Sequence, residues 1–267
     1  MEYHLLGPVE VRDQGTTIPL DGEKQRTVLA ALLLTESGFL SDNELTVLLW
    51  GSRPPGTHSA QIYNYVSRLR KTVGSTSIVR RSPGYQMQIS TASLDLLEFE
   101  ELAARGQGAL AAGRYEEARR LLGAALALWR GPTLADVSEY LSNAEQPRIE
   151  EARISALESR IEADLAVGRH AQVLPELTRL VGQYPLRERF RAQLMTSLYR
   201  CDRQAEALAL YERSRQMLAE ELGVGPGALL REVHHAILTA DCDLDAPRNR
   251  EHLCCQAAGQ PLYLRRP

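Results

Sequence analysis

Hydrophobic positions in the first twenty residues alternate. Tyr3 and Leu5 share one phase, Val9 and Val11 follow a Gly7-Pro8 break, and Thr17-Ile18-Pro19-Leu20 comes after Gly15. Period-2 alternation punctuated by glycine predicts short strands of a small antiparallel sheet. From about Glu23 to Ser37 the period lengthens. Val28, Leu29, Leu32 and Leu33 form a helical apolar face, with Asp21 placed to cap it and Gly38 to end it. Ser41-Asp42-Asn43-Glu44 has capping-box spacing, which starts a short helix through Leu45, Leu48, Leu49 and Trp50. Gly51-Ser52-Arg53-Pro54-Pro55-Gly56 then reads as a loop.

A third helix is expected from about Thr57 to Val73. Ile62, Val66, Leu69 and Val73 fall at i, i+4, i+7 and i+11 and make one buried stripe. The opposite face carries Gln61, Asn64, Tyr65, Arg68 and Lys71, flanked by Tyr63, Ser67 and Arg70. After it, Ile78-Val79-Arg80-Arg81, a Ser82-Pro83-Gly84 turn, and Tyr85, Met87 and Ile89 alternating with Gln86 and Gln88 predict a hairpin.

Charge sharpens this picture. The whole chain has 267 residues and a net charge of −3, which by itself says little about a nucleic-acid partner. The distribution is uneven. Residues 1–44 hold 3 basic and 8 acidic side chains, whereas residues 45–94 hold Arg53, Arg68, Arg70, Lys71, Arg80 and Arg81 and no carboxylate. Such a stretch is an electrostatic footprint of the kind expected where phosphates approach. A helix that exposes amides, phenols and arginines suits a major groove, where Arg forks onto guanine and Asn or Gln pairs with adenine. An ordinary solvated helix face mixes both signs, and this one does not. Adjacent arginines at the mouth of a turn suit a phosphate backbone or a minor groove; the competing role for Arg81 is protection of an edge strand.

Sheet, three helices with a basic third, then a hairpin is the layout of a winged helix-turn-helix. Ile62-Tyr63-Asn64-Tyr65-Val66-Ser67-Arg68-Leu69-Arg70-Lys71 resembles the recognition helix of OmpR-type winged helices, and Arg81-Ser82-Pro83-Gly84-Tyr85 resembles their wing, with Ser82 in place of a glycine. Leu6-Gly7-Pro8-Val9-Glu10-Val11 and Lys24-Gln25-Arg26-Thr27-Val28-Leu29-Ala30 resemble the opening of the SARP family, the streptomycete antibiotic regulatory proteins. Leu128-Trp129-Arg130-Gly131, Tyr211-Glu212-Arg213 and Glu221-Leu222-Gly223-Val224-Gly225-Pro226 resemble the bacterial transcriptional activation domain of short members of that family. The resemblance covers roughly residues 3 to 240 and implies no receiver domain ahead of the winged helix.

From about Leu94 the pattern is helical throughout. Turns at Gly113-Arg114-Tyr115, Gly168-Arg169-His170 and Asp202-Arg203-Gln204 recur. Arg169 and Arg203 stand one tetratricopeptide period of 34 residues apart, while the longer interval from Arg114 implies an insertion around Trp129-Arg130-Gly131-Pro132. The expected fold class is therefore mainly α with small β-sheets: a winged helix-turn-helix over 1–92, an all-α TPR-like domain over 93–240, and a flexible tail over 241–267.

Several chemistries are excluded or weak. Only Lys24 and Lys71 of the 31 basic residues are lysine, and neither sits in a Walker A loop. Gly223-Val224-Gly225-Pro226-Gly227 follows a helix and has no Lys, so it is not read as a phosphate cradle. Zinc-enzyme, nucleophile-elbow and dinucleotide fingerprints are missing, so no catalysis and no cofactor are expected. Cys242, His252, Cys254 and Cys255 match no structural zinc spacing, and His234-His235 reads as helix surface. No apolar run reaches the ~18 residues of a membrane span, and the first ten residues lack a signal-peptide pattern, which leads to an expectation of a cytoplasmic protein away from membranes.

The expected DNA-binding residues are Gln61, Asn64, Tyr65, Arg68, Arg70, Lys71, Arg80, Arg81 and Tyr85. The family resemblance adds promoter DNA with direct-repeat sites, a second protomer on DNA, and RNA polymerase holoenzyme touched through Arg53, Pro54 and Pro55. It also implies control of antibiotic biosynthetic genes. The alternative is a TPR-like adaptor that does not bind DNA by itself.

Overall fold

The computed structural model describes residues 1–35, 37–88 and 93–244. The expectations for Ile89, for His252, Cys254 and Cys255, and for the tail beyond Leu244 lie outside these residues. Chain order is β1 (Glu2–His4), β2 (Glu10–Asp13), β3 (Thr16–Ile18), α1 (Gly22–Leu34), β4 (Phe39–Ser41), α2 (Asp42–Trp50), α3 (His58–Val73), β5 (Ile78–Arg81), β6 (Gly84–Met87) and β7 (Ser93–Leu94). Seven helices follow: α4 (Asp95–Ala111), α5 (Tyr115–Ala127), α6 (Glu139–Ala166), α7 (His170–Gln183), α8 (Glu188–Arg200), α9 (Gln204–Leu222) and α10 (Ala228–Thr239), with a short 3-10 turn at Cys242–Leu244. No helix among the described residues is long and apolar enough to cross a membrane.

Two compact units divide the chain. The first comprises residues 1–105 and 123–156, the second 106–122 and the described residues from 157 on, so the division falls within α4, α5 and α6.

The first unit contains the winged helix. Its sheets have the orders β3-β2-β1-β7 and β4-β6-β5. The N-terminal sheet was expected to be wholly antiparallel. Tyr3 does pair with Val11 and Val11 with Ile18 in antiparallel register, but β7 adds a parallel edge through Tyr3 and Leu94. α1, α2 and α3 pack together, with Val28, Leu29, Leu32, Leu45, Leu49, Ile62, Val66 and Leu69 wholly or almost wholly buried. Asp21 precedes α1 as expected but makes no side-chain cap, and α1 ends at Leu34, short of Ser37.

The Trp129-Arg130 insertion is part of this same unit. The Arg130 amide donates to the Leu6 carbonyl at 2.8 Å, and its guanidinium reaches Pro8 O at 3.0 Å and Glu10 at 2.8 Å. Asp136 accepts from the Val9 amide and pairs with Arg26, both at 2.9 Å. The Ser138 amide donates to Thr27 Oγ1 at 2.8 Å, and its hydroxyl donates to Leu48 O. Asp95, almost fully buried, accepts the Leu5 and Leu6 amides at 2.7 and 3.1 Å. These charged and backbone bonds span from 89 to 127 residues of sequence.

In the second unit α8 packs on α7, α9 and α10, with Leu177, Phe190, Met195 and Leu230 in its core. The three repeat turns share one geometry. Gly113, Gly168 and Asp202 have positive φ of 71°, 81° and 61°, and the following Arg114, Arg169 and Arg203 amides donate to Ala109, Asp164 and Leu198, five residues back. That is the bonding of a Schellman helix end, repeated at each helix-to-helix turn.

Candidate nucleic-acid interface

The interface is built on the amphipathic third helix. Ile62, Val66, Leu69 and Val73 are its buried residues, as the spacing requires. Its first turn has no acid, and its last turn carries Arg70 and Lys71. Cations near a helix C-terminus face the partial negative charge of unpaired carbonyls, so the placement also suits the helix.

Upstream, α2 is fixed by the capping box the sequence predicts. The Glu44 amide donates to Ser41 Oγ at 3.2 Å, and the Ser41 amide donates to Glu44 Oε2 at 2.8 Å. The Ser41 hydrogen bonds hold the Glu44 carboxyl below its ordinary range. Gly51 ends the helix at φ 63°, with its amide on Val47 O at 2.8 Å; a Cβ here would sit 2.3 Å from the Tyr140 ring. The chain is thereby turned into the loop that exposes Arg53 and Pro54 and half-buries Pro55.

The expected site residues separate into two groups. Asn64, Arg68 and Lys71 on α3 and Arg81 on β5 are exposed, and no side-chain hydrogen bond or ion pair engages them among the described residues. The others are tied into the fold. Gln61 donates to Thr57 Oγ1 at 3.0 Å and accepts from the Tyr65 hydroxyl at 3.3 Å, a chain of bonds along the start of α3. Arg70 Nε donates to Ile78 O at 2.8 Å and so ties β5 to α3.

Tyr85 does not stand open to solvent as the sequence suggests, and Arg80, although exposed, is engaged by a carboxylate. Tyr85 is 4% exposed, and burial raises its phenol above the ordinary value. Arg80 forks onto both Asp42 oxygens at 2.6 Å each and lies 4.6 Å over the Tyr85 ring. The bonds to Asp42 raise the already high guanidinium pKa further. The β4–β6 pairing beneath this contact is tight: a Cβ on Gly84 would fall 2.0 Å from Leu40 O, which only glycine permits.

Sequence reasoning passed over two residues. Tyr63, 60% exposed, belongs to the open surface of α3 although the sequence puts it only on the flank, whereas Tyr65, expected on the open face, is half-buried. Asp42 neutralises Arg80 from 38 residues away, and no local pattern signals that pairing.

Comparison with known proteins adds the following. Residues 94–238 match the model of the bacterial transcriptional activator domain. The regulatory protein AfsR of Streptomyces griseus is 42% identical over 247 residues, 92% of this chain but 25% of that protein. The chain thus spans about a quarter of AfsR. The regulatory protein DnrI of Streptomyces peucetius is 34% identical over 257 residues, covering 92% of this chain and 94% of its own. Mycobacterium tuberculosis EmbR, solved in complex with a low-affinity phosphopeptide, superposes with a TM-score of 0.86 at 35% identity over 96% of this chain and 69% of that one. These proteins are named as regulators, and none is named as an enzyme.

Proposed function

Because this chain belongs to the SARP family of regulatory proteins, we propose that it is a sequence-specific, DNA-binding transcriptional activator working in the cytoplasm. The observation that carries this reading is the surface of α3 and β5, where Arg68, Lys71 and Arg81 stand exposed without a carboxylate partner among the described residues. Cations left unneutralised on a helix face are suited to phosphates and base edges. In this reading α3 enters a major groove, Asn64 and Arg68 meet base edges, and Lys71 and Arg81 meet phosphates. Gln61 and Tyr65 frame the start of the helix, while Arg70, Arg80 and Tyr85 hold the wing beside it.

The family membership supports finer proposals. The DNA sites are short direct repeats in promoters of antibiotic biosynthetic genes, occupied by two protomers, and RNA polymerase holoenzyme is met through Arg53, Pro54 and Pro55. The experiment is a selection of genomic fragments on the purified chain, followed by footprinting, with Arg68→Ala in parallel. Repeated short sites upstream of genes, lost in the variant, are the expected result. A folded sample that enriches nothing would contradict the proposal and favour the adaptor reading.

A further inference from the structure

Two adjacent arginines sit on the wing strand and invite the same role, yet their surroundings differ. Successive side chains of a strand point to opposite faces. Arg81 is exposed and has no partner among the described residues. Arg80 faces the first turn of α2, where both of its bonds to Asp42 measure 2.6 Å, and its guanidinium lies over the Tyr85 ring. The backbone of the same Asp42 is also engaged, since its amide donates to Pro83 O at 2.9 Å in the wing turn. Asp42 therefore holds the wing at two points, once through its carboxylate and once through its main chain. Its carboxylate also lies at a helix N-terminus, where negative charge is favoured, so little draws it away from the contact.

We propose that Arg80 and Asp42 form a clamp that fixes the angle of the wing, leaving Arg81 as the cation by which the wing binds phosphate. This rests on the DNA-binding reading above. Arg80 is a positioning residue. What it needs is the planar two-donor fork, because a lysine ammonium keeps the charge but cannot bind both carboxylate oxygens in this way. Arg81 needs only its charge.

The two arginines are distinguished by comparing Arg80→Ala, Arg80→Lys, Arg81→Ala, Arg81→Lys and Asp42→Asn in the full chain. Affinity for a short duplex of mixed sequence, and for fragments the unaltered protein enriches, is measured across a salt series. Arg81→Ala is expected to flatten the slope of log K against log salt by about 0.9, one phosphate contact, and Arg81→Lys to retain it. Arg80→Ala, Arg80→Lys and Asp42→Asn are each expected to weaken binding several-fold without flattening the slope. The Arg80→Ala/Asp42→Asn double variant should be no weaker than either single one, as for partners in one contact. Amide hydrogen exchange of Asp42 without DNA should quicken in Arg80→Ala and Arg80→Lys and not in the Arg81 variants.

Full binding by Arg80→Lys, or a slope flattened by Arg80→Ala as much as by Arg81→Ala, would overturn the clamp. If the unaltered protein binds neither DNA, the functional reading fails instead, and the exchange experiment alone decides whether the clamp exists: unchanged exchange in Arg80→Ala would overturn it.

Discussion

Several arginines of the second unit are closed off by carboxylates, whereas, among the described residues, Arg68 of α3 and Arg81 of the wing are not. In the second unit Arg114 pairs with Glu117, Arg119 with Glu116, Arg203 with Glu206 and Arg215 with Glu212, each three residues apart in sequence. Arg160 bridges Asp164 at 2.7 Å and Glu176 at 2.6 Å, and Arg189 meets Glu162. On α3 and β5, Arg68, Lys71 and Arg81 meet no carboxylate among the described residues. The same residue type thus closes a fold in one place and leaves charge available in the other. A net charge of −3 averages the two and hides the interface. What matters for binding is which cations keep a local field that no neighbour cancels.

The largest test of this contrast lies inside the helical unit. Arg160→Ala leaves the buried Asp164 carboxylate without its closest cation, and burial already raises that carboxyl despite the arginines around it. A loss of about 2–3 kcal/mol in unfolding free energy is expected from denaturant titration, with the salt slope of DNA binding unchanged. Arg68→Ala should do the reverse. It removes about 1–3 kcal/mol of DNA affinity if Arg68 forks a base, while the melting temperature stays in place. Effects of both variants on both readouts would erase the distinction drawn between the two kinds of arginine.

A weaker effect concerns pH. Burial first, and then Arg200, lowers the pKa of His170 from its ordinary value of 6.5. The unfolded chain therefore takes up this proton before the folded one. The site's contribution is fully present above about pH 6.5 and is lost as pH falls through the lowered folded value. Melting curves between neutral and acidic pH should show this loss, and His170→Gln should flatten it. The smallest effect is expected at Arg203, whose partner Glu206 is exposed and lies on the same helical turn. Arg203→Ala should leave both melting temperature and DNA affinity within error, because exposed pairs of this kind are screened by solvent.

Local signals were legible in the sequence. The buried stripe of α3, the capping box of α2, the β5–β6 hairpin and the recurrent turns at Gly113, Gly168 and Asp202 depend on residues within a few positions of one another, and all are present. What was not legible depends on distance along the chain. β7 is two residues long and is recruited by pairing with β1. Arg130 and Asp136 join a sheet and helix more than a hundred residues earlier, and residues 123–156 belong to the first compact unit. In the interface, exposure at Asn64, Arg68 and Lys71 followed from helical phase. The engagement of Arg80 did not, because Asp42 lies just outside the carboxylate-free stretch that drew attention to the arginine.

The central claim is that Arg68, Lys71 and Arg81 are left free for phosphates and bases, and the salt dependence of DNA affinity tests it most directly. Titrating the intact chain against an enriched fragment should give a slope of log K against log salt of about −2 to −3 per protomer, two or three phosphate contacts' worth. A folded protein whose affinity does not change with salt, or that binds no fragment at any salt, would contradict the account.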